Sequence, residues 1–227
     1  MDIQDQTTAG RTRKPRTGPG RPAAGESLTP QEVARAAFDL IVAEGEHALT
    51  MRRLGEVLGV KAMALYNHYP DKEAILDAVA CLALSRVPLP PAKGPWKSRL
   101  KALCQGIRGM ARQYPSVFRV AMFRPAPPES ALPEIEFALS AFADAGLAPT
   151  AQATAYHTIR VWLRAFCVWE IEELRTPRAA MIDVAQMTSS YPHTAAAVNT
   201  LFSPDPDRMF EAGLDLLLRG LQNGKDR

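Results

Sequence analysis

Cysteine is scarce in this chain of 227 residues, where Cys81, Cys104 and Cys167 stand far apart in apolar, helix-like surroundings. Three isolated thiols make neither a disulfide framework nor a metal-ligand spacing, and they read as reduced core residues of an intracellular, cytoplasmic protein. Long apolar runs are missing as well. The most apolar long segment, near Val161 to Val168, is interrupted by Arg164 and falls short of the roughly 20 residues a bilayer-crossing helix needs, so no membrane partner is expected. No signal peptide is expected either, because the first 27 residues hold no apolar core. Alternating, strand-like runs of useful length are lacking, which points to an all-α fold. No nucleophile–base pair, phosphate-binding loop or metal-ligand set stands out, so catalysis, cofactors and bound metals are not expected.

Hydrophobic residues make up 47% of the chain, ample for a core, and 22% charged residues is ordinary for a globular protein. The net charge of +3 says little about partners, since residues 1–74 carry ten Lys/Arg against ten Asp/Glu. Positive charge is local instead. Arg11, Arg13, Lys14, Arg16 and Arg21 fall between Gly10 and Arg21 with no acid among them. Residues 1–27, rich in Thr, Gly, Pro and Arg, cannot bury apolar surface and are expected to be disordered when free. Composition alone fits a solubilising tail equally well; should the unit that follows bind DNA, Arg21 within Pro19-Gly20-Arg21-Pro22 would resemble a minor-groove arm.

The stretch Leu49 to Ala74, LTMRRLGEVLGVKAMALYNHYPDKEA, reads as two short helices across a tight turn followed by a helix start. Thr50 can cap the first, whose Leu54, Val57 and Leu58 recur at spacings of three and four. Gly59 ends it, because glycine tolerates the left-handed backbone that an abrupt change of direction needs. A second short helix from about Lys61 to Tyr69 anchors Leu65 and Tyr69, and leaves Lys61, Ala62, Met63, Tyr66 and His68 facing out. Such a face is odd for solvent. It suits a DNA major groove, where small and apolar side chains touch thymine methyls and Tyr or His donates to phosphate. Upstream, Thr29-Pro30-Gln31-Glu32 is a capping box with proline at the first helical position, and Val33, Ala37, Phe38, Leu40 and Ile41 give the buried face of a supporting helix that ends at Gly45.

Leu58-Gly59-Val60, Leu65-Tyr66 and Tyr69-Pro70-Asp71-Lys72-Glu73-Ala74 resemble the DNA-binding pattern of TetR-family transcriptional regulators. The resemblance implies a helix-turn-helix protein that binds a palindromic operator in double-stranded DNA as a homodimer and acts as a repressor. Carried over by position, Thr50 and Tyr66 would bind phosphate, Arg52 would reach a base edge, Ala62 and Met63 would lie over bases, and His68 and Lys72 would hold the backbone. Arg52 carries most sequence information, since a guanidinium can make two bonds to guanine.

From Asp71 a further helix runs through Ile75, Leu76, Val79, Leu82 and Leu84 to about Arg86, so one element begins at the DNA and ends in the second half of the chain. Pro88, Pro90, Pro91 and Pro95 then make a stiff connector. From Trp96 onward the pattern is helical throughout, over 96–112, 116–123, 134–145, 150–174, one or two pieces in 178–202, and 207–221. The expected layout is a disordered basic arm over 1–27, a three-helix helix-turn-helix unit over 28–74, a connecting helix and proline-rich linker over 75–95, and a larger helical ligand-binding and dimerisation domain over 96–227. The helices over 150–174 and 207–221 are the expected dimer elements, as a four-helix bundle.

The second half also resembles, more loosely, the ligand-binding domain of the tetracycline-repressor branch, through its Trp96 opening, Ala145-Gly146-Leu147, the stretch 165–170 and its Phe210-Glu211-Ala212-Gly213-Leu214 ending. In that branch histidine and amide side chains hold a drug–magnesium chelate. The corresponding positions here are Val120 and Leu103, and no histidine occurs from 69 to 156, so such a chelate is not expected. Leu103, Ile107, Met110, Phe118, Met122, Phe123, Phe137, Trp162 and Phe166 remain as lining for a small apolar effector, with Trp169 alongside; any single one of them is more readily packed core, and the lining reading belongs to the group. His157, Arg160 and Arg164 share a face at i, i+3 and i+7, which suits either a polar handle in such a pocket or, as the favoured expectation, the dimer seam or solvent. The alternative to a ligand-released repressor is a constitutive or architectural DNA binder without a ligand.

Overall fold

The computed structural model describes residues 28–124, 128–175, 190–202 and 205–223, all of which are helix, turn or loop without a strand. The basic arm with Arg21 lies outside the described residues. Helix α1, Pro30–Glu44, begins with the expected capping box: the Thr29 backbone N–H donates to Glu32 Oε2 at 2.8 Å, and the Glu32 N–H donates back to the Thr29 hydroxyl at 3.2 Å. It buries Val33, Ala37, Phe38, Leu40 and Ile41 and ends at Gly45. After a single 3-10 turn, Glu46–Ala48, helix α2 spans Met51–Leu58, with the Thr50 hydroxyl accepting from the Arg53 N–H at 3.0 Å.

Gly59 then adopts φ 70, and the Val60 N–H closes the turn on the Gly55 carbonyl at 2.9 Å. Regular helix α3 covers only Ala62–Leu65, shorter than the expected 61–69. Past Leu65 the chain continues as turns, with the His68 and Tyr69 N–H groups both closing on the Leu65 carbonyl at 3.0 Å just ahead of Pro70. Leu65 is the buried peg of this helix, and the Tyr69 hydroxyl donates to the Pro30 carbonyl at 3.0 Å, fastening α3 to α1.

Helix α4, Lys72–Ser85, is capped by Asp71, which accepts from the Ala74 N–H at 2.8 Å, and its buried Ile75, Leu76, Val79, Ala80 and Ala83 face α1 and the later helices. The larger half consists of α5 Trp96–Gln113, α6 Pro115–Phe123, α7 Pro128–Asp144, α8 Pro149–Arg175, α9 Pro192–Ala196, α10 Val198–Phe202 and α11 Pro206–Asn223. Helix α7 starts six residues before the expected 134, with Pro133 inside it. A proline within the first two turns removes a single helical hydrogen bond, so α7 carries Pro133 without ending.

One hydrophobic core runs through both halves, from Val33 and Phe38 through Ile75 and Val79 to Phe118, Phe142 and Leu163. Each such side chain contributes roughly 1.5–3 kcal/mol of burial. Phe38 meets Tyr114 edge-on at 5.2 Å between ring centroids, and Arg86 lies 3.8 Å over the Phe38 ring. Arg124, at the end of α6, donates to Asp77 Oδ1 at 2.7 Å and to the Glu73 carbonyl at 3.1 Å, and also pairs with the Glu73 carboxylate. These contacts bind α6 to the first two turns of α4.

Candidate nucleic-acid interface and cavity

The turn between α2 and α3 decides which side chains face outward. A Cβ on Gly55 would lie 2.9 Å from the Val60 carbonyl oxygen, so only glycine lets the chain fold back this tightly. With Leu54 and Leu65 pointing inward, Met63 is 74% exposed and Tyr66 48% exposed, Lys61 is exposed and Ala62 is half-buried beside them. The two neighbouring arginines have separate duties. Arg53 is drawn back onto the protein by Glu44 at 2.5 Å and Glu56 at 3.5 Å, whereas Arg52, with its side chain 89% exposed, has a single 3.9 Å approach to Glu56. Thr50 is exposed; His68 and Lys72 are half-buried at the close of α3 and the first residue of α4. An exposed thioether, a half-buried methyl, a phenol and an extended guanidinium on the adjoining α2 and α3 can touch thymine methyls, donate to phosphate and bridge a guanine edge.

A cavity of about 430 Å³ opens between the end of α4 and helices α5, α6, α7 and α8. Leu103, Ile107 and Met110 of α5 and Phe118 and Met122 of α6 line it, all among the residues expected there. Phe137 does not, although it is buried; on α7 it is Ser130, Ala131, Pro133, Glu134, Ala138 and Phe142 that face the space. Trp162 and Phe166 are corrections too. They turn to α11, where Trp162 lies 5.5 Å and Phe166 5.3 Å from the Phe210 ring, and the Trp162 ring occupies the space that a Cβ on Gly213 would need. Trp169 follows them, edge-on to Phe166 at 5.4 Å. The Phe123 side chain lies outside the described residues.

At its polar end the cavity departs from the favoured expectation for Arg160 and Arg164 and fits the alternative of a polar handle. Arg160 and Arg164 line it, together with Glu134 and Tyr156, while His157 is exposed. The spacing Tyr156, Ile159, Arg160, Leu163, Arg164 is a single stripe of α8, and that stripe faces the hole. The Tyr156 hydroxyl donates to Glu134 Oε2 at 3.3 Å. Burial pushes the Glu134 carboxyl above its ordinary range, against the pull of the Tyr156 bond and the two guanidiniums. Burial, and then the neighbouring Arg160 charge, lowers the Arg164 guanidinium. The Cys104 thiol, also on the wall, is pushed up to about 12, chiefly by burial.

Leu84 and Ser85, in the last turn of α4, line the same cavity, so the helix that starts at Lys72 beside the exposed ridge ends at the cavity wall. On the opposite side of α8, Val161 is 67% exposed and Ala165 exposed, and on α11 Leu216 is 65% exposed and Ala212 exposed. Behind that face Glu170 accepts from Arg108 at 2.9 and 2.5 Å and from Arg112 at 2.7 Å, bracing α8 against α5. Burial raises the Glu170 carboxyl, but the two arginines outweigh it and hold it below its ordinary range. No described helix is long and apolar enough to cross a membrane.

Residues 33–79 match the sequence profile of the bacterial regulatory proteins of the tetR family, and residues 87–224 that of the tetracyclin repressor-like, C-terminal domain. The chain is 32% identical over 201 residues to the tetracycline repressor protein class A from transposon 1721 of Escherichia coli, spanning 86% of this chain and 90% of that one. It is 30% identical over 229 residues to the HTH-type transcriptional repressor DrrR1 of Streptomyces coeruleorubidus, spanning 92% and 81%. Among solved structures, apo ActR from Streptomyces coelicolor superposes with a TM-score of 0.77 at 25% identity over 88% of this chain and 98% of that one. ActR in complex with actinorhodin gives 0.76.

Proposed function

Since the chain belongs to the tetR family of bacterial regulatory proteins, we propose that it is a transcriptional repressor that binds a palindromic operator as a homodimer and is released by a small, largely apolar molecule. In this reading the ridge of Lys61, Ala62, Met63 and Tyr66 enters the major groove, with Arg52 at a base edge and Thr50, His68 and Lys72 on the backbone. The arm around Arg21 would follow the adjacent minor groove. Leu103, Ile107, Met110, Phe118 and Met122 would hold the effector's apolar body. The exposed Val161, Ala165, Ala212 and Leu216 of α8 and α11 would meet their copies in a four-helix seam. The protein would work in the cytoplasm, beside the DNA it controls.

One observation carries the reading: α4 reaches from the exposed ridge to the cavity wall, and Arg124 clamps its first turns to the α6 helix that also lines the cavity. An occupant that favours one placement of α6 and α4 biases the spacing of two reading ridges in a dimer, and so the affinity for operator. A constitutive DNA binder would gain nothing from holding a 430 Å³ cavity open in its core. The test is a gel shift with DNA from upstream of the protein's own gene, comparing wild type with Arg52→Ala and Tyr66→Ala. Weakened binding by both is expected; unchanged binding by both would remove the assigned ridge.

A further inference from the structure

The walls of the cavity are apolar except at one end, and that end is electrically unbalanced. Arg160 and Arg164 are one helical turn apart on the inner stripe of α8, and both line the space. The carboxylate lining it with them is Glu134, which already accepts the Tyr156 hydroxyl at 3.3 Å. Among the described residues neither arginine forms a salt bridge. This contrasts with Arg99, Arg108, Arg112 and Arg124, each of which is paired with an acid. With Glu134 ionised the cluster carries one surplus positive charge, and with Glu134 protonated it carries two. A half-buried guanidinium without a counter-ion is costly, and a ligand anion is the group that would relieve it.

We propose that the occupant of this cavity is a hydrophobic monoanion, whose carboxylate or ionised phenol docks on Arg160 and Arg164 while its apolar body lies between Leu103, Ile107 and Phe118. The proposal rests on the reading of the cavity as the effector site and adds the chemical class of the effector. A guanidinium fork matches a carboxylate in two parallel hydrogen bonds. Glu134 sets the upper limit on charge, because a second acidic group on the ligand would face its carboxylate. A cation would meet the surplus charge of the same sign. The volume of about 430 Å³ suits a molecule of two or three fused rings or a medium-length acyl chain.

The experiment is titration calorimetry on the full chain with matched probes: anthracene-9-carboxylate against anthracene-9-carboxamide, and decanoate against decanamide. The acid of at least one pair is expected to bind roughly 10- to 100-fold more tightly than its amide, the worth of a hydrogen bond to a charged group. Arg160→Met and Arg164→Met should each shrink that preference, and Arg164→Lys should keep much of it. Wild-type melting temperatures in these variants would show that the loss is local. Equal binding of acid and amide would overturn the proposal and leave the cavity's effector role standing. No binding of any probe would overturn both. Acid-selective binding that leaves the upstream DNA bound would uphold the proposal and remove the effector role.

Discussion

Replacing Glu170 by alanine removes the acid that holds α5 to α8, at the back of the face proposed for dimerisation. Its side chain is 1% exposed and that of its partner Arg108 is 8% exposed, so the variant leaves a guanidinium stranded in low dielectric. Losing one partner of a buried pair costs roughly 3–5 kcal/mol. Asp207, 2.9 Å from Arg108, remains as a partial and mostly exposed substitute, which lowers the expected loss to about 2–4 kcal/mol. For a chain of this size each kcal/mol moves the melting temperature by about 2–4 °C, so a fall of about 5–15 °C is expected. Circular dichroism at 222 nm, the usual helix band, would follow it. Two controls bound the reasoning. Arg53→Ala breaks a surface pair with Glu44 and should hardly move the melt. The double variant Arg108→Met/Glu170→Leu, which buries no charge at that pair, should recover part of the loss. A Glu170→Ala melt no lower than that of Arg53→Ala would refute the claim that this network fixes α8.

The acid response of the same group has a definite sign. Because the folded Glu170 carboxyl lies below its ordinary value of 4.5, its contribution is fully present above about pH 4.5 and is lost as pH falls through the lowered value. Melting temperature should therefore hold from neutrality to about pH 5 and then drop, more for wild type than for Glu170→Gln, which has nothing to protonate there. At the turn, Gly55→Ala should abolish operator binding, since its Cβ meets the Val60 carbonyl at 2.9 Å. Gly59→Ala meets nothing within 4 Å and should cost only the left-handed backbone, about 1 kcal/mol, read by thermal melting. Burial pushes the Cys104 and Cys167 thiols up to about 12, so iodoacetamide at pH 8 should leave both unmodified in the native protein and alkylate them in denaturant, as read by peptide mass spectrometry.

Local chemistry made the first half of the fold legible. The Thr29 box, the Thr50 cap, the left-handed Gly59 and the Asp71 start are each written in one or two residues, and each forms where the sequence puts it. What failed locally was the length of α3, which stops at Leu65, and the start of α7, which lies six residues before the expected 134 with Pro133 inside the helix. The cavity was legible only in part, for a physical reason. Periodicity identifies an apolar helix face but not what that face meets. Leu103 and Phe118 meet an empty space, Phe137 meets core, and Trp162 and Phe166 meet α11, all with the same spacing signal. The polar end was read only as the less favoured of two outcomes for Arg160 and Arg164, because charged residues at helical spacing also suit a solvated face, and Glu134, 30 positions before Arg164, went unread. The clue was available in the run Tyr156, Ile159, Arg160, Leu163, Arg164, where apolar and charged residues share one stripe that water alone would not favour.

The claim on which the account depends is that the ridge of Arg52, Ala62, Met63 and Tyr66 enters duplex DNA twice per dimer. A hydroxyl-radical footprint of the full chain on the DNA upstream of its gene tests it most directly. The account predicts two protected segments related by a twofold axis, with the reading ridges about 34–36 Å, one helical turn, apart or at a multiple of it, and both protections lost together in Tyr66→Ala. A single unpaired protection, or two that persist unchanged in that variant, would contradict it.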